Sequence, residues 1–231
     1  MIYFAHRGSN TKRVQNTVAA FALARAQGAT HYELDVHLLQ DGQLAVHHDY
    51  SLLETAGKEV QLKALKSADL SHFPLKNPFT LDKATIPLLQ EILPVISPGL
   101  ELLNIEIKND GNCYPGIEAQ LLACLKMYPG LGGKILFSSF DYETLERLRA
   151  LCPTARIGLL TRQFDVAKAV GLRAESVHIN HIRLTPQMAP ICHTHQLKLY
   201  CYTVNDPALA SQLNAQGVDG IFTDDITLFK A

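Results

Sequence analysis

Two spacings of apolar residues take turns along this chain. Short apolar runs such as "IYFA" and "LELLNIEIK" are strand-like, while stretches such as "NTVAAFALARAQGA" repeat their apolar positions at helical spacing. Strands are predicted near Ile2, Tyr32, Leu102, Ile135, Arg156, Val177, Leu199 and Ile221, with helical patterns between them. The helices carry their own punctuation. Gly28 suits a stop, Pro115 a start, Asp141 and Asp206 N-caps, and Pro207 a first helical position. "QLAVHH" predicts one more strand just after the turn "QDGQ".

Regular alternation of this kind means a parallel sheet with crossover helices. Eight units favour closure into a (β/α)8 TIM barrel, a single domain over residues 1–231. An open doubly wound sheet is the second reading, but its GxGxxG turn after the first strand is absent. Residues 51–85 fit the alternation poorly. With "SHFPLKNPF" at their centre they read as a small insertion, and Leu70, Phe73, Leu75 and Phe79 are expected to form its own core rather than shape substrate choice. No short repeat holds a fixed period.

Composition narrows the picture. In 231 residues, 47% are hydrophobic, which supplies a sizeable core. A formal net charge of −1 lacks the basic footprint of a nucleic-acid partner. No apolar run approaches the ~18 residues of a membrane span, and "MIYFAHRGSN" has no basic segment ahead of its apolar run, unlike a secretory signal. The five cysteines are odd in number, widely spaced and without a CxxC pair, so free thiols in the cytoplasm are expected. The oligomeric state is left open between monomer and homo-oligomer.

In a parallel barrel the reacting groups collect at the carboxyl ends of the strands. The awkward residues of this chain fall there. The first strand ends in His6-Arg7-Gly8, the second carries Glu33 and Asp35 on one face, and the third carries Asn104, Glu106 and Lys108 on one face. Three carboxylates in one barrel mouth repel each other, and burying an ionised carboxylate is costly. Arg7 and Lys108 can relieve part of this; a divalent cation held by Glu33, Asp35 and Glu106 is favoured over a solvated charge network. Oxygen ligands suit Mg²⁺ or Ca²⁺. His6 and His48 supply a general acid and base. His48 is expected to end the "QLAVHH" strand on the face of Leu44 and Val46, with His47 turned away. The remaining histidines read as structural or surface groups, and of these His178 and His181 are the most open to another role.

Taken in order, "HRG", "QNT", "ELDVHLLQDGQLAVHHD", "NIEIK", "YTVND" and "GVDGIFTDD" resemble the glycerophosphodiester phosphodiesterase family over essentially the whole chain. The resemblance implies the barrel and its insertion, and cleavage of a small-molecule glycerophosphodiester to sn-glycerol 3-phosphate and an alcohol. It implies His6 and His48 as acid and base, Glu33, Asp35 and Glu106 as metal ligands, and Arg7 and Lys108 as phosphate contacts. It also implies attack by the glycerol 2-hydroxyl, with a cyclic phosphate that water then opens. Two positions depart from the family pattern. Gln15 stands where a glutamate is usual, which puts in question metal affinity or the placing of Arg7. Tyr202 stands where a tryptophan is usual, and is read either as an aromatic wall for glycerol or as a barrel-layer residue. The competing readings are a phosphodiesterase for lysophospholipids or another diester, and a catalytically silent barrel that binds a phospho-ligand.

Overall fold

The computed structural model describes residues 1–76 and 83–229. Strand β1 (Ile2–His6) is followed by α1 (Val18–Ala26) and β2 (His31–Leu38). A short β3 (Leu44–Val46) turns back antiparallel to β2. Then come the single turn α2 (Leu53–Ala56), the paired two-residue strands β4 (Leu75–Lys76) and β5 (Lys83–Ala84), and α3 (Leu89–Ile96). From β6 (Leu102–Ile107) the alternation is strict: α4 (Ile117–Lys126), β7 (Ile135–Ser139), α5 (Tyr142–Leu151), β8 (Arg156–Thr161), α6 (Val166–Gly171) and β9 (Ser176–Asn180). It ends with α7 (Met188–Thr194), β10 (Lys198–Tyr202), α8 (Pro207–Ala215) and β11 (Gly220–Thr223). Eight strands pair in parallel in the order β1-β2-β6-β7-β8-β9-β10-β11, and β11 returns to β1, so the predicted barrel is closed. The caps form as the sequence predicts. Asp141 accepts from the Thr144 N–H at 2.9 Å, and Asp206 from that of Ala208 at 2.8 Å.

Alternation along the strands divides the interior. Outward residues such as Tyr32, Leu34, Ile105 and Val177 are buried against helix residues such as Phe21, Leu121 and Leu145. Inward residues Phe4, Leu102, Leu136, Tyr200 and Phe222 fill the lower barrel, with the Phe4 and Phe222 rings stacked at 4.7 Å. That apolar plug lies beneath the inward-facing Glu33, Asp35 and Glu106. In the insertion, Leu70 and Leu75 are buried with Leu52, Leu62 and Ile86, and Phe73 packs against them, in a cluster shared with Val14, Leu39 and Ala45 rather than in a core of its own. Phe79 lies outside the described residues. Among the described residues, no helix is long and apolar enough to cross a membrane.

One local expectation fails. β3 stops at Val46, so His48 lies on a loop rather than at a strand end. The cause is the His47 side chain, which accepts from the Asp49 N–H at 3.1 Å and meets Thr55 Oγ1 at 2.9 Å through its other nitrogen. His47 is buried, and it folds the chain into a turn that carries His48 toward the barrel mouth.

Candidate active site

Parallel pairing sets Asp35 beside Glu106 and Glu33 beside Asn104 on the two central strands of the acidic cluster. All three acids face inward and are buried, and one oxygen from each of Glu33, Asp35 and Glu106 lies within 4.8 Å of the others. Lys108, on the same face of the same segment as Glu106, brings Nζ to 2.5 Å from Glu106 and 3.0 Å from Asp35. Arg7 Nε is 3.4 Å from Asp35 Oδ2. Charge therefore falls unevenly. Burial and the neighbouring Asp35 charge push the Glu33 carboxyl well above its usual range. Burial acts the same way on Asp35, but Lys108 and Arg7 outweigh it and hold that carboxyl well below the usual range.

Arg7 is held by a turn that few residues tolerate. Its φ is +58°, and that of Gly8 is +84°. A side chain on Gly8 would meet the Ala20 backbone carbon at 2.7 Å, so glycine lets β1 fold tightly onto α1. The Arg7 N–H donates to the Glu33 carbonyl at 3.0 Å, tying this turn to β2. Gln15 accepts from Arg7 NH1 at 2.8 Å. The glutamine thus orients Arg7, and the neighbouring Asn16 donates to Asp35 Oδ2 at 2.8 Å.

Each candidate histidine has a carboxylate behind it. His6 Nδ1 is 2.7 Å from Asp224 Oδ1, at the end of β11 where the barrel closes. His48 Nδ1 is 2.6 Å from Asp49 Oδ1. In both rings a proton on Nδ1 donates to the acid and leaves Nε2 for chemistry. Burial and Arg7 lower the His6 pKa, with Asp224 pulling the other way. Burial opposes ionisation of Asp224, but its bond to His6, with further bonds from Asn10 and Asn205, holds it well below the carboxylate range. Neither acid was singled out as a site residue from the sequence, although both stand in the motifs "HHD" and "FTDD".

These groups surround one cavity of about 190 Å³. His6, Arg7, Glu33, His48, Glu106 and Tyr202 all line it. Asp35 and Lys108 sit behind that lining, in contact with Glu106 and Arg7. Tyr202 forms a side wall, edge-on to Phe140 at 6.2 Å, and its hydroxyl donates to the Thr161 carbonyl at 3.4 Å. His178, expected among the structural groups, also reaches the cavity. His37 does not; it is buried against the Tyr114 hydroxyl at 2.9 Å.

The donor set fits a divalent cation. Three buried carboxylates face two cations, and burial with the Asp35 charge disfavours the ionised form of Glu33, which a further cation would favour. Asp35 Oδ1 has no aligned hydrogen-bond donor despite the nearby Lys108. All donors are oxygen, which suits Mg²⁺ or Ca²⁺.

The sequence and fold match known proteins. Residues 6–228 match the glycerophosphoryl diester phosphodiesterase family. A glycerophosphodiester phosphodiesterase of Caldanaerobacter subterraneus subsp. tengcongensis is 33% identical, over 97% of this chain and 94% of its own. One of Bacillus altitudinis is also 33% identical, over 96% and 93%. The solved structure of an Oleispira antarctica phosphodiesterase, in complex with the product sn-glycerol-3-phosphate, superposes with a TM-score of 0.82 at 29% identity, over 97% of this chain and 93% of that one. The match to the family extends over nearly the whole closed barrel, and this chain belongs to the glycerophosphoryl diester phosphodiesterase family as an enzyme of that class.

Proposed function

We propose that this chain hydrolyses small glycerophosphodiesters to sn-glycerol 3-phosphate and an alcohol, with one divalent cation and two histidines as proton-transfer groups. The observation that carries the reading is the pair of His–Asp dyads opening onto the same cavity as the Glu33–Asp35–Glu106 cluster. Glu33, Asp35 and Glu106 would hold the cation. When bound, it would neutralise the diester and the charge that grows on its oxygens during displacement. Arg7, fixed by Gln15, adds a positive charge at the cavity wall. Lys108 keeps Asp35 ionised, opposes the burial that pushes the Glu106 carboxyl up, and contributes to the field on the phosphate. His6, with Nδ1 turned to Asp224, offers the Nε2 lone pair and takes the proton of the attacking 2-hydroxyl. As the new P–O bond forms, the bond to the alcohol breaks, and His48 protonates that leaving oxygen. Water then opens the cyclic phosphate with the two histidines in reversed roles. Tyr202 gives the glycerol carbons an aromatic wall.

Leu70 and Leu75 lend no support to the lysophospholipid reading, because both are buried in packing against Leu52, Leu62 and Ala45. The five free cysteines suit a reducing compartment, and we assign the reaction to the cytoplasm. The test is release of glycerol 3-phosphate from glycerophosphoethanolamine and glycerophosphocholine. Turnover that falls by about 10²-fold or more in His48→Ala is expected. Unchanged turnover in that variant would remove His48 from the mechanism.

A further inference from the structure

The bottom of the cavity carries polar atoms that the reading above does not use. His178, on β9, and Asn104, on β6, both line the cavity and are both almost wholly buried. Each has one polar atom without a partner among the described residues, Nδ1 of His178 and Oδ1 of Asn104. Their other atoms are committed. His178 Nε2 is 2.8 Å from Ser176 Oγ, and Asn104 Nδ2 donates to Ser138 Oγ at 2.9 Å. The His178 ring is also seated. A side chain on Gly158 would collide with Nε2 and Cε1, so glycine there makes the space that the imidazole fills. The rings of Tyr200 and Phe222 close on it from below, each at 5.2 Å.

We propose that this floor is a hydroxyl-reading subsite, in which His178 and Asn104 bind the free terminal hydroxyl of the substrate's glycerol. The inference rests on the glycerophosphodiester reading above. Its chemistry follows from the unpaired atoms. With Nε2 accepting from the Ser176 hydroxyl, Nδ1 carries an unpaired N–H donor, and Asn104 Oδ1 is an unpaired acceptor. One donor and one acceptor are what a single alcohol group needs. Burial lowers the His178 pKa to about 3, so the ring is neutral. The floor thus offers no charge to a phosphate, and Leu160 and Phe222 around it suit the carbon chain of a polyol. The cations lie with the acids, Arg7 in the wall and Lys108 behind it. That arrangement orients the substrate with phosphate toward the acid cluster and the hydroxyl end down.

A site built to bond a hydroxyl discriminates strongly against an analogue that lacks it, because its buried polar atoms are then left unpaired. The test compares glycerophosphoethanolamine with the diester in which propane-1,2-diol replaces glycerol. The analogue keeps the 2-hydroxyl and loses only the terminal one. In the wild-type protein, kcat/KM is expected to fall by about 100-fold or more for the analogue. His178→Leu should compress that ratio to within about tenfold, chiefly through loss on the glycerol substrate, while His178→Gln should retain more of it. A wild-type ratio below about tenfold, or a ratio unchanged in His178→Leu, would overturn the proposal and leave only water on the floor. Calorimetric binding of glycerol 3-phosphate against propane-1,2-diol 1-phosphate reads the same preference without catalysis. If neither diester is turned over, the reaction assignment fails, while the monoester pair still decides the subsite. If His178→Leu does not fold, the wild-type ratio and His178→Gln decide it.

Discussion

Asp224 is 218 residues from His6 in the chain and 2.7 Å from its ring. At the scale of single residues this contact supports the proposed role of His6 as base, because a carboxylate on Nδ1 fixes the tautomer that leaves Nε2 open. Asp224→Asn should therefore lower kcat by about 10²-fold with KM little changed, as steady-state kinetics would show. Wild-type kcat in that variant would mean that the tautomer is set elsewhere. No local spacing reveals such a pair, since it exists only once the last strand has met the first. The acids were easier to read, because Glu33 and Asp35 share a strand face and interrupt an apolar pattern. His178 was not legible as a cavity residue, since its position depends on Gly158 one strand away. Its burial also has a pH consequence. A histidine held neutral down to about pH 3 binds fewer protons folded than unfolded at any pH below about 6.5. The stability it supports is present above about pH 6.5 and is lost as pH falls toward about 3, by up to about 1.4 kcal/mol per pH unit. Denaturant titrations from pH 7 to pH 4 should show a shallower loss in His178→Gln than in the wild type.

At the scale of elements, turns place the chemistry more than strands do. The eight strands were legible because each is a short, mostly apolar run of at least four residues between turn or helix signals. The extent of β3 was not, because the pattern "QLAVHH" continues past Val46 while the His47 side chain turns the chain away. The β1–α1 turn shows the same principle. Gly8→Ala would meet both a left-handed backbone and the Ala20 carbonyl carbon, and should cost about 1–3 kcal/mol by denaturant unfolding. Because the same turn aims Arg7, activity should fall beyond what the lost stability explains. Full activity in a folded Gly8→Ala protein would show that the turn can relax without moving Arg7.

At the scale of the molecule, closing the barrel brings both dyads and the acid cluster to one cavity, with an apolar plug beneath. Closure also concentrates three carboxylates against two cations, a repulsion that a divalent cation would relieve. Mg²⁺ or Ca²⁺ at 100 times its Kd should thus stabilise the fold by about 2.7 kcal/mol, seen as a raised Tm, and Glu106→Gln should shrink that rise. The account stands most directly on metal-dependent turnover. Protein freed of metal with EDTA, then passed into metal-free buffer, should release no glycerol 3-phosphate from glycerophosphoethanolamine. Adding Mg²⁺ or Ca²⁺ should restore release in the wild type but not in Glu33→Gln. Full turnover in the presence of EDTA would contradict a catalytic role for the Glu33–Asp35–Glu106 cluster.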